Sequence, residues 1–354
     1  VAFHFFSGRG PLYPAIEAEL IFVTAPRNSR ESICYCFSHE RIQQAAAILL
    51  TGEEIAQVHL KIGRWYAATP YEEEFSNQII DHLNRAVEII NDDETIVRLA
   101  QDNYKAALQA KASTAYDIAI LYLEKSLYVL DKKGFSVIKE PLLYIENMIQ
   151  LTELKYLTSD FSGGDTLYKQ TMELIIKNIY FDSLKDCQLS LKIKLHLVVI
   201  NSWIALNRME DALLKGVEVL NELGIALPVE DNPFVYYPSL EKMYDTSNIS
   251  ALLDLPPMRD EIYLLALNII NALMSQAYMV SPKYYPKICY VGLKLCIENG
   301  NCASAAHVYA FYSMLLCGVM SRYREGSDFA QLAQTLTGKF DARAYIPRVE
   351  MIAN

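Results

Sequence analysis

The sequence is poor in the residues that make turns. Only 14 of its 354 residues are glycine and 13 are proline. Sandwiches and barrels need many turns, so this scarcity argues against an all-β chain and favours long helices. Hydrophobic residues make up 52% of the chain and charged residues 21%, which excludes a disordered chain and allows a large core.

Runs of lysine or arginine are also missing, and the formal net charge is −10. A nucleic-acid surface needs a basic stripe, and a helix that binds an anionic membrane needs a basic face. We therefore expect neither nucleic acid nor a membrane as a partner. No signal-peptide pattern is present, and polar residues interrupt the longest apolar stretch, 262–280. We expect a cytoplasmic fragment of a larger protein, because the chain begins and ends abruptly.

Motifs of catalysis are absent too. The sequence contains no phosphate-binding loop, no zinc-protease motif, no hydrolase nucleophile motif and no kinase catalytic loop. The Gly163-Gly164-Asp165 stretch lacks the lysine and the preceding strand of a phosphate-binding loop. We expect no catalytic residue and no cofactor in this chain.

The seven cysteines, an odd number spread through apolar segments, indicate reduced thiols rather than a disulfide framework. Two groups could in principle hold a metal: Cys34, Cys36 and His39, and Cys289, Cys296, Cys302 and His307. A structural zinc site needs four ligands, and the first group has no second pair at the usual spacing. Apolar neighbours favour a core role for the second group. We predict no metal site.

Residues 1–50 differ from the rest of the chain in their pattern of predicted helices and strands. A short helix is predicted over 12–19, followed by an apolar run, a turn, and an alternating strand over 32–37. Ser38 is a plausible N-cap for a helix that begins at His39. The order helix, strand, turn, strand, helix predicts a small, partial winged-helix segment.

From residue 51 onward, apolar residues recur at steps of three and four, which predicts helices joined by short connections. The exception is 224–257, which carries five prolines. We expect it to cross the surface and to mark a possible break within the domain 51–354. The pairs Tyr236-Tyr237 and Tyr284-Tyr285 lie near prolines and fit either loop anchors or an aromatic docking patch.

Small residues recur where the tetratricopeptide repeat brings its paired helices together. The first copy has Ala107, Ala119, Leu123 and Ser126, and the later, degenerate copies have Gly164, Ala212, and Gly326 with Ala330. The sequence therefore predicts an all-α fold: a tetratricopeptide-like α-solenoid of antiparallel helix pairs after the winged-helix segment.

Several short motifs resemble one family of signalling proteins. They are residues 37–46, 59–64, 81–86, 223–228, 255–258, 299–301 and 303–306. In this order they resemble the region after the ATPase in large multidomain proteins that combine a Ser/Thr-kinase-like domain, a STAND-type ATPase, helical repeats, a GAF domain and a histidine kinase. The resemblance implies that 1–50 is the tail of the ATPase's winged helix, and that the ATP-hydrolysing core and the phosphorylatable histidine lie outside this chain.

His39 and Arg41 are the residues to which the resemblance gives a sharper role. In related signalling ATPases a winged-helix histidine contacts the phosphate of the bound nucleotide. His39 at a helix start, beside Arg41, suits an anion. The alternative is a histidine that only makes hydrogen bonds within the winged helix.

These observations favour a non-catalytic scaffold and signal-relay region of an ATPase–sensor kinase. Its partners would be a protein, a peptide or an inducer on the concave face of the array, together with other domains of the same chain. One alternative is the ligand-sensing repeat region of a STAND-type transcription regulator. An all-α enzyme with an inward cluster of histidines and carboxylates is the weakest of the three readings.

Overall fold

The computed structural model describes residues 12–24, 34–68, 76–132, 134, 139–177 and 187–353. The all-α prediction is confirmed, because the described part of the chain is helical apart from one two-stranded sheet. The chain folds into two compact units, Val1–Ala106 and Ala107–Asn354. The predicted domain boundary at residue 50 stays a prediction.

The first unit contains short elements followed by longer helices. In chain order these are α1 (Tyr13–Glu17), β1 (Ile21–Thr24), β2 (Cys34–Phe37), α2 (Glu40–Ile48), α3 (Gly52–Ala67), α4 (Ser76–Arg85), a 3₁₀ helix (Val87–Ile89) and most of α5 (Asp93–Ala112). The strands pair antiparallel, with Ile21 opposite Phe37. This order matches the one predicted for 12–50, but the winged-helix assignment stays a prediction, since 1–11 and 25–33 lie outside the described residues.

Local chemistry accounts for the start of α3 and for its packing. Thr51 and Glu54 form a reciprocal capping box that satisfies the free backbone N–H groups of the first turn. Gly63 lets α3 approach α4 closely, since a Cβ at this position would lie 2.8 Å from Cδ2 of Leu83.

The second unit is built from helices that pack with their neighbours in the chain. They are α6 (Tyr116–Lys132), α7 (Pro141–Leu157), α8 (Phe161–Lys177), α9 (Gln188–Ala205), α10 (Met209–Glu222), α11 (Pro233–Glu241), a 3₁₀ helix (Ile249–Asp254), α12 (Glu261–Val280), α13 (Tyr284–Asn299), α14 (Ala305–Gly318), α15 (Tyr323–Lys339) and α16 (Ile346–Ala353). Successive pairs form between α7 and α8, α9 and α10, α12 and α13, and α14 and α15.

One turn recurs between consecutive helices. The backbone φ is positive at Thr114 (59°), Ser159 (66°), Asn207 (61°) and Ser321 (55°), and the next helix begins two residues later each time. After the first three, the following N–H donates to the carbonyl five residues earlier, as in Ala115 to Ala110. This is the Schellman helix end, in which the left-handed residue lets the chain reverse.

Four of the predicted small residues lie at the same number of residues after this turn. Ala119, Gly164, Ala212 and Gly326 each lie five residues after the left-handed residue, and all four are buried. A Cβ on Gly326 would lie 2.3 Å from Sγ of Cys317 on the preceding helix. A Cβ on Gly164 would lie 3.0 Å from the Tyr156 ring of α7, so both glycines lie where the second helix of a pair meets the first.

The other repeat positions are placed less uniformly. Ala107, Leu123 and Ser126 are fully or almost fully buried, whereas Ala330 is half-buried. The tetratricopeptide assignment and the solenoid remain predictions.

The segment 224–257 corrects one expectation. It does not merely cross the surface, because Tyr237, Leu240 and Ile249 belong to the largest core of the second unit. The Tyr237 hydroxyl donates to the Pro286 carbonyl at 2.9 Å. Proline density misled the prediction, since Pro233 occupies the first turn of α11, where no backbone N–H is needed.

The predicted tyrosine pairs also contribute side chains to the core. Tyr237 is 1% exposed and Tyr285 is 4% exposed, and the Tyr285 hydroxyl donates to the Phe311 carbonyl. An aromatic docking patch is therefore wrong for these two residues, which anchor helices within the core. Tyr284 and Tyr236 are half-buried.

Helix α12 is the one helix in the described part of the chain that is long and apolar enough to cross a membrane. Half of the apolar stretch of this helix is buried within the protein, and Leu267, Ile270 and Met274 are fully buried. Packing in the core accounts for its composition. Cys289 and Cys296 are fully buried in the same core, as the sequence indicated.

Candidate functional site

A groove of about 570 Å³ lies between α7 and α9, the first helices of two successive pairs. Ile149 and Gln150 of α7 face Val198 and Asn201 of α9 across it. The turn after α7 and the start of α8 complete its wall through Ser159 and Phe161. All of its lining residues belong to the second unit.

Large apolar side chains are exposed where these helices end. Leu157, the last residue of α7, is 47% exposed, Phe161 is 40% exposed and Leu206, just after α9, is 36% exposed. All three line the groove. Apolar side chains grouped in a concave surface are typical of a binding groove rather than of ordinary solvent-facing helix ends.

The charged residues of the groove are paired within the protein. Glu153 lies 2.6 Å from the Lys111 ammonium, and the Lys194 ammonium lies 2.8 Å from the Glu261 carboxylate. Burial raises the pKa of Glu146, which lies near Lys194 and Glu261; Lys194 opposes the shift and Glu261 adds to it. The groove therefore presents balanced charge, unlike a phosphate site, which needs an excess of donors and positive charge.

Two carboxamides supply the neutral polar groups. Lys111 donates to Oε1 of Gln150 at 2.8 Å, which orients the Gln150 NH₂ group without using it. The Asn201 side chain is exposed and makes no hydrogen bond within the part of the chain that the structure describes. A carboxamide can donate and accept at once, which matches the N–H and C=O of a peptide group.

The predicted nucleotide-sensing residues do not lie at this groove. His39 caps α2, with Nδ1 accepting from the Arg41 backbone N–H at 3.1 Å, and both residues are exposed. A second cleft, of about 600 Å³, lies beside Tyr35, Phe37 and Ile62 in the first unit, and neither His39 nor Arg41 lines it. The nucleotide role of this pair stays a prediction.

The structure describes only part of the first group of cysteines. Cys36 is exposed, and the side chain of Cys34 lies outside the described residues. Among the residues that the structure describes, no three His, Cys, Asp or Glu side chains are grouped as metal ligands.

Motifs that are far apart in the sequence meet in the structure. The Asn301 N–H donates to the Pro256 carbonyl, and the Met258 N–H donates back to the Asn301 carbonyl, both at 2.8 Å. His59 and His82, from two other motifs, lie 2.7 Å apart through their Nδ1 atoms. These short motifs therefore mark tertiary contacts.

Comparison with known proteins adds no family. A scan against protein-family models finds no match, and a search of the curated proteins finds no related sequence. The resemblance to the multidomain signalling ATPases remains an expectation.

The groove was not predicted from the sequence, although the sequence carries a signal for it. Leu157 and Leu206 are apolar residues immediately before the turns at Ser159 and Asn207. Helical periodicity treats such residues as core, so their exposure emerges only once the helix pairs are packed.

Proposed function

We propose that this chain is a non-catalytic scaffold and signal-relay region. It binds a short segment of a protein partner, or of another domain of its own parent protein, in the groove between α7 and α9. The observation that carries this proposal is the groove itself, an open apolar concavity between the first helices of two successive pairs.

The lining favours a peptide segment with apolar side chains over a charged small molecule. Leu157, Phe161 and Leu206 offer exposed apolar contacts, and burying them on binding contributes about 25 cal/mol per Å². Gln150 and Asn201 offer hydrogen bonds that suit a peptide backbone. Since Glu153 and Lys194 are already paired, they add little attraction for an ion.

The position of the groove also suits signal relay. Helix α9 packs against α7 on one side and against α12 on the other, and α10 packs against α12 as well. The Lys194–Glu261 ion pair joins the wall of the groove to the first residue of α12. A segment bound between α7 and α9 therefore favours one packing arrangement of the successive helix pairs over another. A ligand shifts a conformational equilibrium only when it binds one arrangement more tightly in this way.

The proposal is tested by selecting binders from a displayed library of random 12-residue peptides against the whole chain. Binding of each selected peptide is then measured for the wild type, for Asn201→Arg and for Gln170→Arg. Both substitutions replace an exposed carboxamide by arginine on a helix, but Asn201 lines the groove and Gln170 on α8 does not.

We expect selected peptides to carry apolar anchors and to lose at least tenfold in affinity with Asn201→Arg, equivalent to about 1.4 kcal/mol. Gln170→Arg should bind as the wild type does. Equal binding by all three proteins, or a library that yields no binder, would refute the groove as the site.

A further inference from the structure

Two histidines of the first unit face each other across a helix pair. His59 on α3 and His82 on α4 are both half-buried, with 2.7 Å between their Nδ1 atoms and 4.9 Å between their ring centroids. The Tyr66 ring stacks on His82 with a centroid separation of 6.3 Å. The contact lies beside the closest approach of the two helices, at Gly63 and Leu83.

This geometry has room for one proton between the rings. A hydrogen bond between two Nδ1 atoms needs one N–H donor and one bare nitrogen as acceptor. If both rings were imidazolium, their two Nδ1–H groups would point at each other across 2.7 Å, and two positive charges would share a half-buried site. The contact is therefore incompatible with double protonation.

The surroundings reinforce this limit. Burial lowers the pKa of both histidines. The pKa of His59 is lowered further by His82 and Arg85. The pKa of His82 is also lowered by Arg85, whereas Asp81 raises it. Tyr66 on α3 stacks on His82, α3 also carries Lys61 and Arg64, and the 3₁₀ helix packed against α3 carries Glu88.

Other charged residues of the first unit have partners of their own. Arg64 of α3 pairs with Asp92, and on α5 Asp102 pairs with both Arg98 and Lys105. Arg85 is thus the cation that acts on both rings.

We propose that the His59–His82 contact is a proton-operated clasp, which holds α3 on α4 near neutral pH and releases α3 when both rings become protonated to imidazolium. Helix α4 keeps a separate attachment, because the side chains of Asn84 and Asn103 exchange two hydrogen bonds, at 2.8 and 2.9 Å, that do not titrate. Acid therefore loosens α3 while α4 stays joined to α5.

The direction of the pH dependence follows from the lowered pKa values. The folded unit favours neutral rings, whereas the unfolded chain titrates near 6.5. The clasp contributes its full stability above pH 6.5, and that stability is lost as the pH falls below 6.5 through the lower pKa values of the folded state.

Amide hydrogen exchange on the whole chain tests the clasp. Protection of residues 52–67 is compared between pH 7.5 and pH 5.0, after correction for the intrinsic exchange rate. We expect protection of α3 to fall at the lower pH, by about tenfold for each unit by which the pKa of a ring lies below 6.5. Residues 284–299 of the second unit provide an internal reference.

Two single variants, His59→Gln and His82→Gln, each leave an amide that can still form a hydrogen bond but does not titrate. A variant that keeps wild-type protection of α3 at pH 7.5 should lose most of the drop at pH 5.0. His39→Gln, which removes an exposed histidine of the same unit, should keep the wild-type drop.

Titration of the ring resonances by nuclear magnetic resonance gives an independent readout. Both pKa values should lie below 6.5, and either one should rise when the other histidine is replaced. Any of three results would overturn the clasp: protection of α3 that does not change with pH, an undiminished drop in both glutamine variants, or ring pKa values at or above 6.5.

Discussion

Gly300 follows α13 and packs against residues 256–258, which precede α12 in the chain. We expect its replacement by alanine to destabilise the second unit strongly. Its backbone φ is +96° and its ψ is −178°, a conformation that is essentially restricted to glycine. A Cβ at this position would lie 2.0 Å from the Pro256 carbonyl oxygen. That same oxygen accepts the hydrogen bond from the Asn301 N–H.

The magnitude follows from these contacts. Forcing a side chain into this backbone region costs about 1–3 kcal/mol. Moving Pro256 away weakens the two backbone hydrogen bonds between 256–258 and Asn301, each contributing about 1 kcal/mol. The lower entropy of an alanine in the unfolded chain offsets up to about 1 kcal/mol. We therefore expect Gly300→Ala to lower the free energy of unfolding by about 2–4 kcal/mol.

The two tryptophans of the chain make the measurement specific. Trp65 lies in the first unit and Trp203 in the second, so urea unfolding in a Trp65→Phe background reports on the second unit through Trp203 fluorescence. The matched control is Gly338→Ala on α15, where nothing lies within 4 Å of the added Cβ. If Gly300→Ala proved as stable as Gly338→Ala, the steric argument would be wrong.

Three further predictions concern packing, nucleotide binding and acid sensitivity. Ala119→Leu should overpack the close approach of a helix pair and cost about 1–3 kcal/mol in urea unfolding, whereas the exposed Ala112→Leu should change little; equal midpoints would mean that the repeat register is wrong. The chain should show no micromolar ATP binding by calorimetry, because His39 and Arg41 alone cannot hold a nucleotide; micromolar binding by the wild type that His39→Ala weakens would contradict the scaffold proposal. Burial and the charge of Arg348 lower the pKa of His307 to about 4, so it contributes up to about 3 kcal/mol above pH 6.5 that is lost as the pH falls towards 4; His307→Gln should reduce the shift in urea midpoint between pH 7 and pH 4.5, and an equal shift would contradict this role.

Four buried small positions could be found in the sequence because small size is a local requirement. A helix that follows a tight turn meets its partner at a fixed distance from that turn, so Ala119, Gly164, Ala212 and Gly326 lie at the same offset despite irregular spacing along the chain. The polar left-handed residues, such as Ser159 and Asn207, carry a weaker signal, since serine and asparagine are also common on helix surfaces.

Long-range contacts could not be read in this way. Proline density in 224–257 suggested a surface path, whereas a buried side chain, Asn301, fixes part of that segment: its Nδ2 donates to the Leu252 carbonyl at 2.7 Å, and its Oδ1 accepts from the Tyr309 hydroxyl at 2.8 Å. Nothing within a few residues of Asn301 indicates these partners. The same limit hid the groove, whose two walls are more than thirty residues apart in the sequence.

The positions of the groove and of the histidine clasp assign different kinds of input to the two units. The groove is lined by apolar and carboxamide groups, and its charged residues are paired within the protein. Binding of a segment there therefore depends on the partner more than on pH. The clasp depends on one proton shared by two rings. Asn201→Arg should therefore weaken peptide binding at least tenfold without changing the acid response of α3. His82→Gln should remove most of that acid response without changing peptide binding. If either substitution altered both readouts, the two inputs would be coupled, and the independence argued from their separate contacts would be wrong.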